Sequence, residues 1–398
     1  MGLPPRSTTV PVGLLHSQTG GLALGEMGLR DMELHAFERI NDDGGLLGYK
    51  VAVKAPDTRS RVDLFRTRAK RLLDDGAVSI FGCWTIDRRM AVLPVIEEAR
   101  RLLFYPVQYE GNESSPLVVY GGMVPNQQVL SSLDWLTSPA GGGRKRVFLV
   151  GSDYVFPRTA NFIARRHLAA SGREAVGEVY LPLDSRDVAP IVQQIVFSKA
   201  DCVVNTLNGS SNLAFFEALH AERIDPEKIP VVSTSIGENE LRGLLAEQLR
   251  GHYAASCYFQ SLDSAANREW IEGFHREFGR DRVTDDPMEP AWCLVHLWRQ
   301  AVERAGSFDT DAVRQAFREG LAFDGPGGRV RLDPRTQHAD RFFRLGRMRG
   351  DRQFDLVHAS ADPILADPYP QSVFPGWSVD WTGSGITRGA EVDVDGDL

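Results

Sequence analysis

The chain has 398 residues and a mass of 44.1 kDa, too long for one ordinary core at roughly 100–200 residues per domain, so two domains are expected. Hydrophobic residues make up 42% and charged residues 25%, the balance of an average globular protein, which excludes wholesale disorder and a membrane-embedded body. The net charge is −8 and no basic stripe exists, since Asp340 and Asp351 flank and interrupt the richest basic run, so no nucleic-acid partner is expected.

No run of about 18 apolar residues occurs, so direct membrane insertion is not expected. The first residues, MGLPPRSTT, lack the pattern of a secretory signal. The expected location is periplasmic or extracytoplasmic if a signal has been removed, and cytoplasmic if Met1 is the native start. Cys83, Cys202, Cys257 and Cys293 form no C-x-x-C pair, which points to buried free thiols rather than zinc or a disulfide framework.

Short β-branched runs alternate with longer amphipathic segments, the pattern of α/β units on parallel sheets. Strands are expected at Val10–Leu15, Tyr49–Lys54, Val78–Gly82, Leu102–Tyr105 and Leu117–Tyr120, with helices at Leu22–Asn41, Val62–Asp74 and Arg88–Ala99 between them. A second series begins after Pro125. It has strands at Arg146–Val150, Glu174–Leu181, Cys202–Thr206 and Val231–Ser235, and helices at Gln127–Leu136, Pro157–Ser171, Val188–Lys199 and Asn212–Ala221. Beyond His252 come helices at Ala265–Phe278, Pro290–Ala305 and Thr310–Gly320, then a glycine-rich turn into Arg329–Leu332. Residues 377–398 are rich in Gly, Ser and Asp and are expected to be an extended or disordered tail.

In open α/β sheets ligands bind beyond the carboxyl ends of the strands. Five of those ends carry aromatic and small polar residues: Cys83-Trp84-Thr85, Phe104 to Glu110, Gly151 to Tyr154, Asn205 to Gly209, and Ser233 to Glu240. Such a set suits a pocket offering flat rings and a few hydrogen-bonding groups to a small planar neutral solute. Taken singly, Trp84, Tyr105 and Tyr154 could equally be packing residues, and Asn208 and Ser152 ordinary turn and cap residues. An enzyme is not expected: G-x-S-x-G, H-E-x-x-H, Walker A and helix-opening G-x-G-x-x-G patterns are all missing, and the nine histidines are scattered. Asp285, Asp286 and Glu289 are three carboxylates in five residues, read as a helix N-terminus rather than a metal site. No cofactor is expected.

The stretches GCWT (82–85), LFYPVQYEG (103–111), PNQQ (125–128), GSDYVFPRTAN (151–161), NTLNG (205–209), RVTDDPME (282–289) and DPYPQSVF (367–374) resemble the substrate-binding proteins of branched-chain amino-acid type ABC transporters, in the branch that handles urea and short-chain amides. The resemblance implies a type I periplasmic-binding-protein fold, with two Rossmann-like lobes, a hinge and an interlobe ligand cleft. By that analogy one lobe combines residues 8–125 and 256–334, and the other 126–255 and 335–376. The ligand-binding positions it implies are Trp84, Thr85, Tyr105, Val107, Tyr154, Thr206, Asn208 and Glu238. Relatives usually carry a small hydroxyl residue where this chain has Ile86, and a lost hydroxyl donor costs about 1–3 kcal/mol. The implied ligand is therefore urea or a slightly bulkier amide, and the implied partners are ABC permease subunits. The alternative is a cytosolic amide sensor that restrains a transcription antiterminator and so regulates amidase expression.

Overall fold

The computed structural model describes residues 8–376 except 114, 250, 372 and 374, so the tail at 377–398 lies outside the described residues. The first series runs β1 (Thr9–Leu15), α1 (Ala23–Asp42), β2 (Lys50–Lys54), α2 (Val62–Asp74), β3 (Ser79–Gly82), α3 (Ile86–Ala99), β4 (Leu102–Tyr105) and β5 (Val118–Tyr120). The second runs α4 (Ser131–Thr137), β6 (Arg146–Ser152), α5 (Val155–Ala170), β7 (Glu174–Leu181), α6 (Ala189–Phe197), β8 (Cys202–Thr206), α7 (Ser210–Ala221), β9 (Val231–Ser233), α8 (Glu238–Leu241), α9 (Ala246–Leu249) and β10 (Tyr253–Ser256). The remainder is α10 (Ala265–Phe278), α11 (Met288–Ala305), α12 (Thr310–Arg318), β11 (Ala322–Gly325), β12 (Gly328–Leu332), β13 (Ala339–Asp340), β14 (Arg344–Met348) and β15 (Phe354–Ala359).

The first sheet has the order β2-β1-β3-β4-β5, with every pair parallel. The reversal of strand order beside β1 puts a crevice at the carboxyl ends of β1 and β3. The second sheet has the order β15-β14-β10-β9-β8-β6-β7. It is parallel from β10 to β7, and β14 and β15 add an antiparallel edge. A small antiparallel sheet, β11-β12-β13, closes the described set. The strands are buried by aliphatic and aromatic side chains: Val12, Leu14, Ile80, Phe81, Leu103 and Phe104 in the first lobe, and Val147, Leu149, Val203 and Val204 in the second.

The chain crosses between sheets three times: after β5, after β10 and after β13. These crossings are tied together by buried polar groups. Gln128 Nε2 donates to Thr234 O and Ala255 O, and Gln127 Nε2 to Ala339 O and Ile364 O. Arg341 donates through Nε to Gly121 O at 2.6 Å and pairs with Glu289 at 2.9 Å. The segment expected as a helix from Gln127 begins instead as a π-helical turn, Asn126–Leu130, because both glutamine side chains reach the crossing strands. Wide helical turns of this kind are frequent at functional sites.

Candidate functional site

β3 ends in two residues with positive φ, Gly82 (131°) and Cys83 (71°). Cys83 N–H donates to Leu15 O at 3.0 Å, and a Cβ at residue 82 would stand 2.4 Å from that same oxygen, so glycine is required there. Cys83 adopts the left-handed region without being glycine, a strain that concentrates at ligand sites. The turn directs Trp84 away from the sheet and onto α1. Gly25 makes the room, since a Cβ on it would lie 2.8 Å from Trp84 Cη2.

β4 ends at Tyr105, whose hydroxyl donates to Trp84 O at 2.5 Å and so fixes ring against backbone. Behind it lies fully buried Arg89, with its guanidinium carbon 4.7 Å from the Tyr105 ring centre and 4.8 Å from that of Tyr109. Arg89 pairs with Glu110 at 2.6 Å and Glu113 at 2.8 Å. Burial raises the Glu110 carboxyl above its ordinary value, and Arg89 opposes that rise.

Across the cleft, Tyr154 stands where β6 turns into α5. Its hydroxyl has no hydrogen-bond partner among the described residues, and burial holds it protonated far above the usual tyrosine value. Asn208 follows β8. Its backbone N–H donates to Ser152 Oγ at 3.0 Å and its Nδ2 to Thr206 O at 3.1 Å, leaving Oδ1 uncommitted.

These parts enclose a chamber of about 20 Å³ between the lobes. The first lobe supplies Trp84, Thr85, Ile86, Tyr105, Val107, Gln108 and Glu110, and the second Tyr154, Phe156 and Asn208. Six of the eight expected ligand residues thus line one chamber: Trp84, Thr85, Tyr105, Val107, Tyr154 and Asn208. Thr206 lies behind it, bonded through Oγ1 to Val150 O at 3.0 Å. Glu238 is 1% exposed and accepts from Gln260 N–H at 2.7 Å, so it links the lobes outside the chamber. Gln108, Glu110 and Phe156 are chamber residues that sequence reasoning did not single out. The first two sat inside the quoted VQYEG stretch, where β4's carboxyl end was a usable signal.

A second, outer compartment of about 300 Å³ shares Trp84, Gln108 and Asn208 with the chamber. Around it the lobes are joined by Gln108 Nε2 to Thr234 O at 3.2 Å and by Asn239 Nδ2 to Asp285 Oδ2 at 2.5 Å. Asp286 accepts from Cys257 N–H at 2.6 Å; the three carboxylates stand at the N-terminus of α11, with Glu289 in its first turn, and Asp285 and Asp286 also line this compartment. No group of three or more His, Cys, Asp or Glu able to hold a metal occurs among the described residues.

The chamber's hydrogen-bonding character is lopsided. Thr85 Oγ1 already donates to Asp87, and the amide nitrogens of Gln108 and Asn208 are turned to backbone carbonyls. What these lining residues leave uncommitted is a set of acceptors, Gln108 Oε1 and Asn208 Oδ1 beside the Glu110 carboxyl, with the Tyr154 hydroxyl as a donor.

A two-lobed α/β architecture with a polar, ring-lined chamber at the carboxyl strand ends defines a solute-binding protein of the periplasmic type. The chain belongs to the periplasmic binding protein domain family, whose model matches residues 10–374. It is 23% identical over 309 residues to the Leu/Ile/Val-binding protein homolog 6 of Brucella melitensis, covering 75% of this chain and 76% of that protein. A limonene hydroxylase of Geobacillus stearothermophilus is 31% identical over 118 residues, but these cover 30% of this chain and only 21% of that protein. Among solved structures, an amino acid ABC transporter substrate-binding protein from Pseudomonas fluorescens superposes with a TM-score of 0.81 at 19% identity, over 92% of this chain and 98% of that one. A solute-binding protein of an ABC transporter from Rhodopseudomonas palustris, in complex with 3,4-dihydroxybenzoic acid, gives 0.79 at 20% identity over 90% and 99%.

Proposed function

We propose that this protein is the solute receptor of an ABC uptake transporter and that its inner chamber closes on urea or a short-chain amide. The observation that carries this reading is the chamber itself, small and rich in acceptors. A volume of about 20 Å³ exceeds only slightly the roughly 10–15 Å³ that one water requires. Urea or acetamide therefore enters only with a small parting of these walls, whereas leucine and the hydroxybenzoates, much larger, require a far wider opening.

Charge argues in the same direction. The two buried cations beside the chamber are already committed, Arg89 to Glu110 and Glu113 and Arg88 to Glu26. Glu110 itself stands in the wall, so a carboxylate ligand of the kind bound by the Rhodopseudomonas protein would meet a like charge. An amide N–H₂ group finds acceptors in Gln108, Asn208 and Glu110, and its carbonyl oxygen finds the Tyr154 hydroxyl. The Trp84 and Tyr105 rings and Ile86 cover the flat faces or a short alkyl group. The partners are the permease subunits and the compartment extracytoplasmic, as for the family to which the chain belongs.

Urea's four heavy atoms limit its binding to about −6 kcal/mol, or tens of micromolar. Calorimetric titration with urea, formamide, acetamide, leucine and 4-hydroxybenzoate tests the proposal. Heat from urea or an amide at micromolar to low millimolar concentration supports it, and heat from leucine or the benzoate alone removes it.

A further inference from the structure

The outer compartment is fifteen-fold larger than the chamber, and its walls carry one sign of charge. Asp184, Glu240, Asp285 and Asp286 line it, and no Lys, Arg or His does. Apolar surface accompanies them: Leu24, Leu213 and Ile236, with the Trp84 indole at the boundary with the chamber. We propose that this compartment is a second binding site, for a small organic cation such as a primary ammonium or a guanidinium, held between the Trp84 ring and the Asp285 and Glu240 carboxylates.

Asp285 supplies the strongest reason. It is 4% exposed, and while its Oδ2 accepts from Asn239, its Oδ1 is buried with no hydrogen-bond partner among the described residues. A buried acceptor left unsatisfied is costly, and an N–H donor on a cation supplies what is missing. Glu240 approaches from the other lobe, its Oε2 accepting from Gly237 N–H at 2.8 Å; a Cβ built on Gly237 would lie 3.5 Å from that oxygen and 3.9 Å from Asp285 Oδ2. Asp184 stands exposed at the mouth, where it adds attraction without desolvation. An aromatic face together with carboxylates is the usual recognition set for organic cations. The apolar walls and the lack of a metal-binding cluster among the described residues favour an alkyl-bearing cation over a bare divalent ion.

Proton linkage follows. The groups facing Asp285 are Glu240 and Glu238 on α8, its neighbour Asp286 and the Asn239 amide. Burial first, and Glu240 next, push the Asp285 carboxyl up to about 8. An incoming cation displaces that proton, so binding strengthens as pH rises from 6 to 8.5.

The test is calorimetry at low salt with methylguanidinium and methylammonium, with magnesium chloride as the metal control. Saturable heat that depends on the buffer's ionisation enthalpy, weakens roughly 50- to 100-fold from pH 8.5 to pH 6, and falls about tenfold or more in Asp285→Asn and Glu240→Gln, supports the site. No heat, heat unchanged in these variants, or equal heat from magnesium overturns it. If Asp285→Asn fails to fold, Glu240→Gln and Trp84→Leu carry the comparison. The inference does not rest on the amide reading: methylguanidinium binding in a protein that ignores urea and acetamide keeps this site and removes that function, and the converse does the reverse.

Discussion

Tyr154→Phe separates ligand binding from folding. The Tyr154 hydroxyl has no protein partner, so its removal leaves the free protein's hydrogen bonds intact, and a change of this kind shifts stability by no more than about 0.5 kcal/mol. In the complex the same deletion strands the ligand's carbonyl oxygen inside a closed chamber, which costs about 1–3 kcal/mol. Urea or acetamide affinity should therefore fall about 5-fold at the lower limit and about 150-fold at the upper. Because burial keeps this hydroxyl protonated well above the usual tyrosine range, the loss should be the same from pH 6 to 9. Calorimetry gives the affinities and scanning calorimetry the melting temperature of the ligand-free protein. Unchanged affinity in the variant would show that the carbonyl lies elsewhere, and a melting temperature that falls in step with affinity would show that the hydroxyl serves the protein instead.

Other expectations follow from the same contacts. Arg89→Met leaves Glu110 and Glu113 without their cation and should destabilise the first lobe by about 3–5 kcal/mol, read by thermal melting, with partial recovery on adding Glu110→Gln. Gly122→Ala would put a Cβ 2.1 Å from the Val107 carbonyl carbon, so it should cost about 1–3 kcal/mol and weaken amide binding by displacing Val107 and Gln108 from the chamber wall. His338 accepts from the Tyr109 hydroxyl at 2.6 Å and bonds Thr336 O through Nδ1 at 2.8 Å, and burial lowers it to about 4. The unfolded chain then binds the proton first, so stability is lost as pH falls from about 6.5 towards 4. Relative to His338→Gln, the parent should lose up to about 3 kcal/mol across that window, measured as melting temperature against pH.

Most of the parallel framework was legible because its strands are short apolar runs followed by amphipathic helices. The edge hairpin β14–β15 was not. Its arginines, Arg344 and Arg347, hide the apolar alternation, and β15 is exposed at every residue but Phe354. The last crossing was expected from the resemblance at 334–335, but the pairing of Ala339 with Leu332 carries it past Asp340, which no local pattern shows. Strand-end composition brought out Trp84, Tyr105, Tyr154 and Asn208, because carboxyl ends converge in this architecture. Glu110 lay within the strand end that the sequence offered, but its pairing with Arg89, 21 positions earlier on another element, was out of reach.

The hydrogen bonds that join the lobes, Gln108 to Thr234, Asn239 to Asp285 and Gln260 to Glu238, are made entirely by protein groups. For a solute of four heavy atoms this has a thermodynamic consequence. Driving a hinge from one per cent closed to ninety-nine per cent closed takes about 5.5 kcal/mol of preferential binding, nearly the whole of what urea can supply. A receptor that depended on so small a guest to draw its halves together would retain almost no affinity. Groups that already favour the shut form relieve the guest of that task, so its few contacts can be spent on recognition.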